Sequence, residues 1–267
     1  MTEWHKRRML AFDLETTGID VEADRIVTAA VIGLGGNEPT APQEWLADPG
    51  IDIPEGATAV HGISTEHARK HGERAADVVD QVAASLAAQT LDGAVVVGHN
   101  VVYDFTLLDR ECARHDVPSL ADRLDGQPIT VIDTRVVDQF CLPYRRRVSE
   151  TQGARQLITL AQVYDLPWND EQAHGCSYDA LIAARVAYRI GTLAHMPKDD
   201  WPAAIRAARR PRFHHLEGLE LAALHELQVG WAAEQAASLQ DYFRKKDPEA
   251  RVAPDWPLIP RSKNGDH

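Results

Sequence analysis

Short apolar runs alternate along this chain with longer segments in which apolar residues recur every three or four positions. The short runs are rich in Val, Ile and Ala and are typical of β-strands. They predict strands at residues 9–14, 25–33, 43–46, 94–97 and 130–133. The longer segments predict amphipathic helices at 75–89, 102–112, 135–140, 156–164 and 178–191. This order predicts an α/β fold with a mixed five-stranded sheet flanked by helices.

The pattern changes after residue 194. Residues 196–201 are turn-like, residues 216–246 have a long helical pattern, and the tail after Pro248 is rich in proline and polar residues. We therefore predict a first domain at 1–194 and a helical C-terminal extension at 195–267 with an extended or disordered Pro-rich tail. The long helix has two possible roles. It packs on the first domain and so covers the apolar stripe around Trp231, or it presents that stripe to a partner.

Two acidic residues interrupt the first predicted strand. Asp13 and Glu15 are two positions apart, and side chains at i and i+2 project from the same face of a strand. Turn-forming residues 16–18 follow, so both carboxylates lie near the carboxyl end of the strand, where open α/β sheets bind ligands. A single D-x-E pair is common on solvated strands, and its meaning depends on the other acids in the chain.

Asp104 follows the strand at 94–97 and falls in the first turn of the next predicted helix. The positive end of a helix favours an acid at that place. This explanation would suffice if no other acids belonged with Asp104.

The third segment of interest contains His174 and Asp179. They are five positions apart, which would separate them by roughly 140° on a continuous helix. We therefore predict that Ser177 caps a helix whose first turn contains Asp179. His174 then lies on the preceding loop, from which it can fold back over the carboxylates.

The ordered set of segments resembles the DEDDh group of 3'-to-5' exonucleases, the DnaQ-like (DNA polymerase III epsilon-like) branch of the ribonuclease H-like fold. The family's D-x-E-T-T-G motif matches residues 13–18, its H-N motif with an aromatic residue and Asp matches 99–104, and its H-x4-D motif matches 174–179. The family segment VHGI is present at 60–63. A sister group has tyrosine where this chain has Gly175, which indicates the histidine class. Together these motifs are far more specific than any one of them.

The resemblance implies a phosphodiesterase centre that binds two Mg²⁺ or Mn²⁺ ions. Asp13 would bridge both ions, while Glu15, Asp104 and Asp179 complete their coordination directly or through water. His174 would accept a proton from the attacking water, a task that suits histidine because its ordinary pKa lies near neutrality. Oxygen ligands favour Mg²⁺ or Mn²⁺ over zinc. The expected products are 5'-nucleoside monophosphates released from a 3' end.

The family resemblance also suggests contacts to the terminal nucleotide. Thr16 is a candidate through its backbone, His61 of the VHGI segment is another, and Asn100 helps shape the second motif. His61 is equally explained as a loop histidine bound to backbone. Leu14 is a candidate for stacking on a base, although its position opposite Asp13 also fits the core.

The net charge of −12 is unusual for an enzyme of nucleic acids. Basic clusters nevertheless occur at 5–8, at 145–147 with Arg155, and at 206–212. Any such cluster can be a solvated face. We take 145–147 as the preferred nucleic-acid contact because it lies between the second and third motifs.

Composition places the chain in the cytoplasm. Three widely spaced cysteines at 112, 141 and 176 are typical of reduced thiols. The sequence contains no membrane span, and the apolar stretch after the basic start ends at Asp13, too soon for a signal peptide.

Three functions remain open at this stage. The first is a DNA-directed 3'-to-5' exonuclease in proofreading or repair that acts on single-stranded or frayed 3' ends. The second is an RNA-trimming enzyme with the same centre, and the third is a non-catalytic subunit. The intact acids weigh against the third, and the family's epsilon branch suggests that the C-terminal region binds a DNA polymerase or a sliding clamp.

Overall fold

The protein, described here by a computed structural model over residues 3–261, contains a six-stranded mixed sheet flanked by helices. Residues 262–267 of the predicted Pro-rich tail lie outside the described residues. The strands are β1 (Arg8–Thr16), β2 (Ile26–Gly35), β3 (Ala41–Asp48), β4 (Glu73–Arg74), β5 (Val95–Gly98) and β6 (Val131–Asp133). Their order is β4-β3-β2-β1-β5-β6. β1, β2 and β3 pair antiparallel, while β3–β4, β1–β5 and β5–β6 pair parallel.

The predicted count of five strands is wrong by one. β4 consists of Glu73 and Arg74, which are charged and exposed, and it pairs with Ala47 and Asp48 at the end of β3. Two residues are too few to show the two-residue period of a strand, so the sequence could not predict β4, which is defined only by its pairing with β3.

The six predicted helices are present with ends shifted by a few residues, and four short helices within residues 3–261, the first, second, fifth and ninth in chain order, were not predicted. The helices are α1 (Glu55–His61), α2 (Thr65–His71), α3 (Ala75–Leu91), α4 (Val101–Arg114), α5 (Leu120–Arg123), α6 (Thr134–Cys141), α7 (Leu157–Val163), α8 (Cys176–Ala194), α9 (Ala203–Arg206) and α10 (Leu221–Arg244). Single 3₁₀ turns occur at Trp4–Lys6, Lys198–Asp200 and Phe213–Leu216. None of the helices in residues 3–261 is both long and apolar enough to span a bilayer.

The predicted cap of α8 is wrong. The helix begins at Cys176, and Gly175 occupies the N-cap position. Ser177 lies inside the first turn, where its hydroxyl is buried without a hydrogen-bond partner. Asp179 is still in the first turn and His174 is still on the preceding loop, so the geometric argument from their spacing holds.

β1 runs through the centre of the protein and is buried on both faces. Met9 and Ala11 belong to the core that contains α8, while Leu10 and Phe12 belong to the core that contains α3 and α4. This alternation follows from the two-residue period of a strand. The next odd-numbered positions carry Asp13 and Glu15, so the acids continue the α8 face of β1.

The C-terminal helix packs against the edge of the sheet. Gln228 accepts a hydrogen bond from the Asp133 N–H at 2.8 Å and donates to the Val131 carbonyl at 2.9 Å. Trp231 stacks on Phe140 with ring centroids 3.8 Å apart. α10 thus supplies partners that the edge strand β6 would otherwise lack. Of the two predicted roles of this helix, packing on the preceding residues of the chain is observed.

The chain after Pro248 has no helix or strand up to residue 261, in agreement with the predicted extended tail. It is nevertheless anchored: Trp256 is buried, and its indole N–H donates to the Asp133 carboxylate at 3.2 Å. The Ile259 N–H donates to the Thr106 hydroxyl at 3.1 Å. The tail therefore covers α4 and the end of β6.

Candidate active site

Asp13 and Glu15 lie at the carboxyl end of β1, as predicted, and both are half-buried. Burial, followed by the charges of Asp104, Glu15 and Asp179, raises the pKa of Asp13 well above its usual range. Burial and then the charge of Asp179 raise the pKa of Glu15 to about 8. These shifts show that acids from separate segments are close enough to repel one another.

Asp104 is buried in the first turn of α4 and contacts the first motif directly. Its Oδ1 accepts a hydrogen bond from the Leu14 N–H at 3.1 Å. The Tyr103 hydroxyl lies 2.8 Å from the Thr16 hydroxyl and donates to the Gly18 carbonyl at 2.5 Å. Burial raises the pKa of Asp104 well above its usual range, although hydrogen bonds from backbone N–H groups oppose the rise. The second motif is therefore held against the first by hydrogen bonds.

Asp179 and His174 approach from the start of α8. His174 is exposed and has a left-handed backbone, with φ 62°, which turns the loop just before the helix. Burial raises the pKa of Asp179 to about 6, and the charge and backbone of His174 oppose that rise. Asp179 Oδ1 is buried without a hydrogen-bond partner.

All five predicted catalytic residues line one open cavity of about 940 Å³. They are Asp13, Glu15, Asp104, His174 and Asp179, and Leu14 and Asn100 border the same cavity. Across the described part of the chain, these side chains nowhere bring three ligand atoms within 4.8 Å of one another. The acids therefore surround a space and do not converge on a single point.

The four predicted substrate contacts occupy different places. Leu14 has its side chain in the core that contains α3 and α4, although the residue borders the cavity. Thr16 ends β1 and is bound by Tyr103. His61 lines an adjoining cavity of about 520 Å³ together with Glu15 and His174.

His61 is partly satisfied by its own loop. Its Nδ1 accepts a hydrogen bond from the Ile63 N–H at 3.1 Å, so the proton of the neutral ring is on Nε2. Nε2 is buried, makes no hydrogen bond of normal length among residues 3–261, and lies near the Thr16 backbone. One ring nitrogen of His61 is thus bound to its own loop, and the other faces the end of β1.

Asp133 is a residue of the site that the motifs do not indicate. It ends β6, and its carboxylate accepts hydrogen bonds from the Asn100 N–H at 2.9 Å and the Val101 N–H at 3.1 Å. It also accepts one from the Arg135 N–H at 2.9 Å and so caps α6. Asn100 has φ 66° and its side chain is bonded to Arg135. Asp133 therefore fixes the turn from which Asp104 projects.

We expect Asp133→Ala to destabilise the protein by roughly 3 kcal/mol or more, because several buried N–H groups lose their acceptor at once. Thermal unfolding would measure the loss. Asp92→Ala, which removes an exposed acid, is the matched control and should leave the melting temperature within about 1 °C, since surface substitutions are usually within 0.5 kcal/mol. Equal melting temperatures for the two variants would contradict the role assigned to Asp133.

A second unpredicted feature is a buried ionic cluster around Asp138. The fully buried carboxylate of Asp138 is paired with Arg145 and Arg155 and accepts a hydrogen bond from the Tyr164 hydroxyl at 2.8 Å. His99 Nε2 lies 2.9 Å from the Arg155 carbonyl oxygen. The cluster holds the segment between α6 and α7 that forms one wall of the cavity.

This cluster changes the interpretation of the basic run at 145–147. Arg145 is partly buried and committed to Asp138, so its role is structural. Arg147 is exposed and lines the cavity, whereas Arg146 is exposed outside it. Of the three arginines, Arg147 is the one placed to meet a substrate.

The chemistry of the site fits divalent metal ions. Four carboxylates share one cavity, burial and mutual repulsion disfavour their charged forms, and the buried Asp179 Oδ1 has no hydrogen-bond donor. Hard oxygen ligands of this kind hold Mg²⁺ or Mn²⁺. Cations in the cavity would remove the repulsion that the acids impose on one another.

Comparison with known proteins agrees with this chemistry. The RNase_T family model, described as exonuclease, matches residues 10–187, more than half of the chain. A PolC-type DNA polymerase III of Lacticaseibacillus paracasei is 29% identical over 182 residues, or 68% of this chain and 11% of the polymerase. Ribonuclease T of Hahella chejuensis is 25% identical over 185 residues, or 65% of this chain and 78% of that enzyme.

Among solved structures, E. coli exonuclease I in complex with a dT13 oligonucleotide has a TM-score of 0.58 at 19% identity and covers 72% of this chain. The chain spans 45% of the exonuclease I chain and 11% of the polymerase, so these matches concern one part of each longer protein. The structural likeness confirms the predicted ribonuclease H-like fold. Divalent metal dependence is a property of the matched family, and the family match confirms the predicted resemblance: the chain belongs to the exonuclease family.

Proposed function

We propose that this protein is a 3'-to-5' exonuclease that hydrolyses DNA from single-stranded or frayed 3' ends and releases 5'-nucleoside monophosphates. The observation that carries the proposal is that Asp13, Glu15, Asp104, Asp179 and His174 all line one open cavity. Proofreading or repair is the setting that such an activity serves.

Asp13, Glu15, Asp104 and Asp179 would hold two Mg²⁺ or Mn²⁺ ions. Bound cations of this kind lower the pKa of water and neutralise charge on the scissile phosphate and the leaving oxygen. In this proposal Asp13 is the shared ligand, because the charges of the other three acids all act on it.

His174 is the proposed general base. Its exposed position on the loop lets the imidazole reach a water molecule in the cavity and take its proton. The left-handed backbone at this residue, with φ 62°, turns the chain just before α8 begins.

The terminal nucleotide would lie beside Thr16 and His61, with Asn100 shaping the second motif. The Nε2–H of His61 is a hydrogen-bond donor beside Glu15, suited to a sugar or phosphate oxygen. Leu14 contributes through its backbone and the edge of the cavity, since its side chain is in the core.

Arg147 is proposed to contact a phosphate of the substrate. We expect Arg147→Ala to raise KM about tenfold, the effect of losing one charged hydrogen bond, with little change in kcat. The slope of log KM against log salt should fall by about 0.7, the value for one phosphate on a single strand.

The matched control is Arg146→Ala, which removes a neighbouring exposed arginine outside the cavity. Michaelis–Menten measurements at several salt concentrations would compare the two. A salt slope in Arg147→Ala equal to that of the wild type, or an equal loss in Arg146→Ala, would contradict the contact.

RNA is the second candidate substrate, because ribonuclease T is matched over 78% of its own length. The two readings are separated by 5'-labelled single-stranded DNA, mismatched primer-template and RNA, each with Mg²⁺ or Mn²⁺ and each beside Asp13→Ala. A ladder on DNA supports the proposal, and a ladder on RNA alone replaces it. Full-length substrate in every lane would contradict both enzyme functions and favour a non-catalytic subunit.

A partner such as a DNA polymerase or a sliding clamp is proposed to bind through the C-terminal region, with the division at residue 194 kept as a prediction. The apolar side of α10 is occupied by the sheet edge, but Tyr242 and Phe243 near its end are exposed. These two residues would form the contact with the partner. Replacing both by Ala should abolish co-elution with the partner while the exonuclease activity of the isolated protein stays unchanged.

A cytoplasmic location is proposed because the three cysteines are free and buried.

A further inference from the structure

A second group of potential metal ligands lies at the opposite end of α8 from the active site. Glu3, His5 and His195 bring one ligand atom each within 4.8 Å of one another, and no other such trio occurs among residues 3–261. His195 follows the last residue of α8, sixteen positions beyond Asp179, which is about 24 Å along a helix. This group is therefore separate from the catalytic acids.

The imidazole of His195 is oriented as a metal ligand requires. Its Nδ1 lies 2.8 Å from the Gly191 carbonyl oxygen, to which it can only donate, so Nε2 carries the lone pair of the neutral ring. This lone pair accepts a long hydrogen bond from the Gly218 N–H at 3.4 Å, which a metal ion would displace. Metal-binding histidines typically donate their other ring N–H to a carbonyl or carboxylate in this way.

His5 is buried without the hydrogen bonds that a buried imidazole needs. Its side chain is 2% exposed, Nδ1 has no partner, and Nε2 lies 3.6 Å from Glu3 Oε2, too far for a hydrogen bond. A Cβ added at Gly191 would lie 2.3 Å from the His5 Cβ, so the glycine is what admits the ring. The centroid of the His5 ring lies 5.0 Å from the centroid of the His195 ring. An unsatisfied buried ring is costly unless a ligand completes it.

The charges at this place are compatible with a cation. Glu3 is paired with Lys6 at 2.5 Å, but the Lys6 side chain is 55% exposed and free to turn toward solvent. An adjoining cavity of about 190 Å³ is lined by His195, Glu3 and Glu220, and the carboxylates of the two glutamates oppose the charge of Arg7 at the same cavity.

We propose that Glu3, His5 and His195 form a zinc-type metal site that ties the N-terminal turn to the end of α8. Two imidazole nitrogens and one carboxylate oxygen are the ligands that Zn²⁺ and related first-row ions prefer over Mg²⁺. A water molecule in the adjoining cavity completes the coordination. The role is structural, since the site is remote from the catalytic cavity.

Zinc counting on the full chain tests the site. Chelator-stripped protein is titrated with Zn²⁺ in a large excess of Mg²⁺, which competes for the carboxylate centre, and bound zinc is measured after gel filtration for the wild type and each variant. The wild type should retain one zinc ion more than His5→Gln or His195→Gln. Glu3→Gln should weaken binding more than about tenfold, since even the loss of an outer-shell partner costs that much. With Co²⁺, the wild type should show a visible absorption band that both histidine variants lack.

His71→Gln is the control. It removes one histidine of the exposed pair His67–His71, whose rings are 4.8 Å apart but which has no third ligand in the described chain. This variant should bind zinc like the wild type. Equal zinc content in His195→Gln and the wild type, or an equal loss in His71→Gln, would overturn the site. Circular dichroism of the metal-free variants shows whether a loss reflects unfolding.

Discussion

Asp13→Asn is expected to abolish nearly all hydrolysis, with kcat lower by about four orders of magnitude. The proposed bridging ligand is lost, and metal ions stabilise the transition state of such reactions by several kcal/mol, at 1.36 kcal/mol for each factor of ten. The substitution keeps the size of the side chain and removes only its charge. Turnover of 5'-labelled single-stranded DNA in saturating Mg²⁺ or Mn²⁺ measures the loss.

The same substitution should stabilise the metal-free protein. Burial and the charges of Asp104, Glu15 and Asp179 disfavour the carboxylate of Asp13, and a neutral amide at this place avoids both costs. We expect the metal-free melting temperature to rise by several degrees. Adding metal should raise the melting temperature of the wild type, because metal binds only the native state, and should raise that of Asp13→Asn far less.

The pH dependence of stability has a defined sign. The folded pKa of Glu15 is raised from 4.5 to about 8 and that of Asp179 from 3.8 to about 6. The native state therefore binds more protons than the unfolded state between pH 4 and pH 8, and the metal-free protein loses stability as the pH rises through this range. Most of the Asp179 contribution is lost by about pH 6, and that of Glu15 continues to about pH 8.

Thermal unfolding in chelator across this pH range, with and without Mg²⁺, tests the sign. Asp92→Asn, an exposed acid, is the control and should follow the wild type. A metal-free protein that gains stability on going from pH 5 to pH 8 would contradict the raised pKa values. A melting temperature indifferent to metal in both wild type and Asp13→Asn would contradict the metal centre itself.

Local patterns were enough to predict the frame of the site. The period of two in β1 placed Asp13 and Glu15 on one face, and the structure shows that face continuing from Met9 and Ala11 toward α8. The five-residue spacing of His174 and Asp179 excluded a continuous helix, and the left-handed backbone at His174 is the break. Such conclusions rest on geometry within about ten residues.

Features that depend on distant partners could not be predicted in the same way. Asp133 and Asp138 follow ordinary apolar runs, and most of the hydrogen bonds and ion pairs that give them their roles come from other segments, up to 123 positions away. The sequence predicts a nucleic-acid contact at Arg145. Nothing in a run of arginines indicates that a distant buried acid such as Asp138 pairs with one of them. The predicted N-cap of α8, Ser177, is two residues too late. Serine is favoured at N-caps, but the left-handed turn at His174 lets the helix begin earlier, with Gly175 as its N-cap.

His174→Asn is expected to lower kcat by roughly 10²- to 10⁴-fold, the usual contribution of a general base. Asparagine is chosen because it tolerates the left-handed backbone that His174 adopts at φ 62°, so the loop before α8 is preserved. Metal binding should survive, since the carboxylates are intact, and the metal-induced rise in melting temperature should match that of the wild type. His174→Ala should show the same loss of turnover with a less stable loop.

Rescue and binding measurements decide between a base and a ligand. Added imidazole should restore part of the activity of His174→Asn, because it can take the proton from water in the vacated space, and should do nothing for Asp13→Asn. His174 also opposes the rise in the pKa of Asp179, so stability of the metal-free variant should fall more steeply between pH 5 and pH 7 than that of the wild type. If His174→Asn instead lost the metal-induced stabilisation, the histidine would be a ligand, and the proton from the attacking water would have to go to a carboxylate or to solvent.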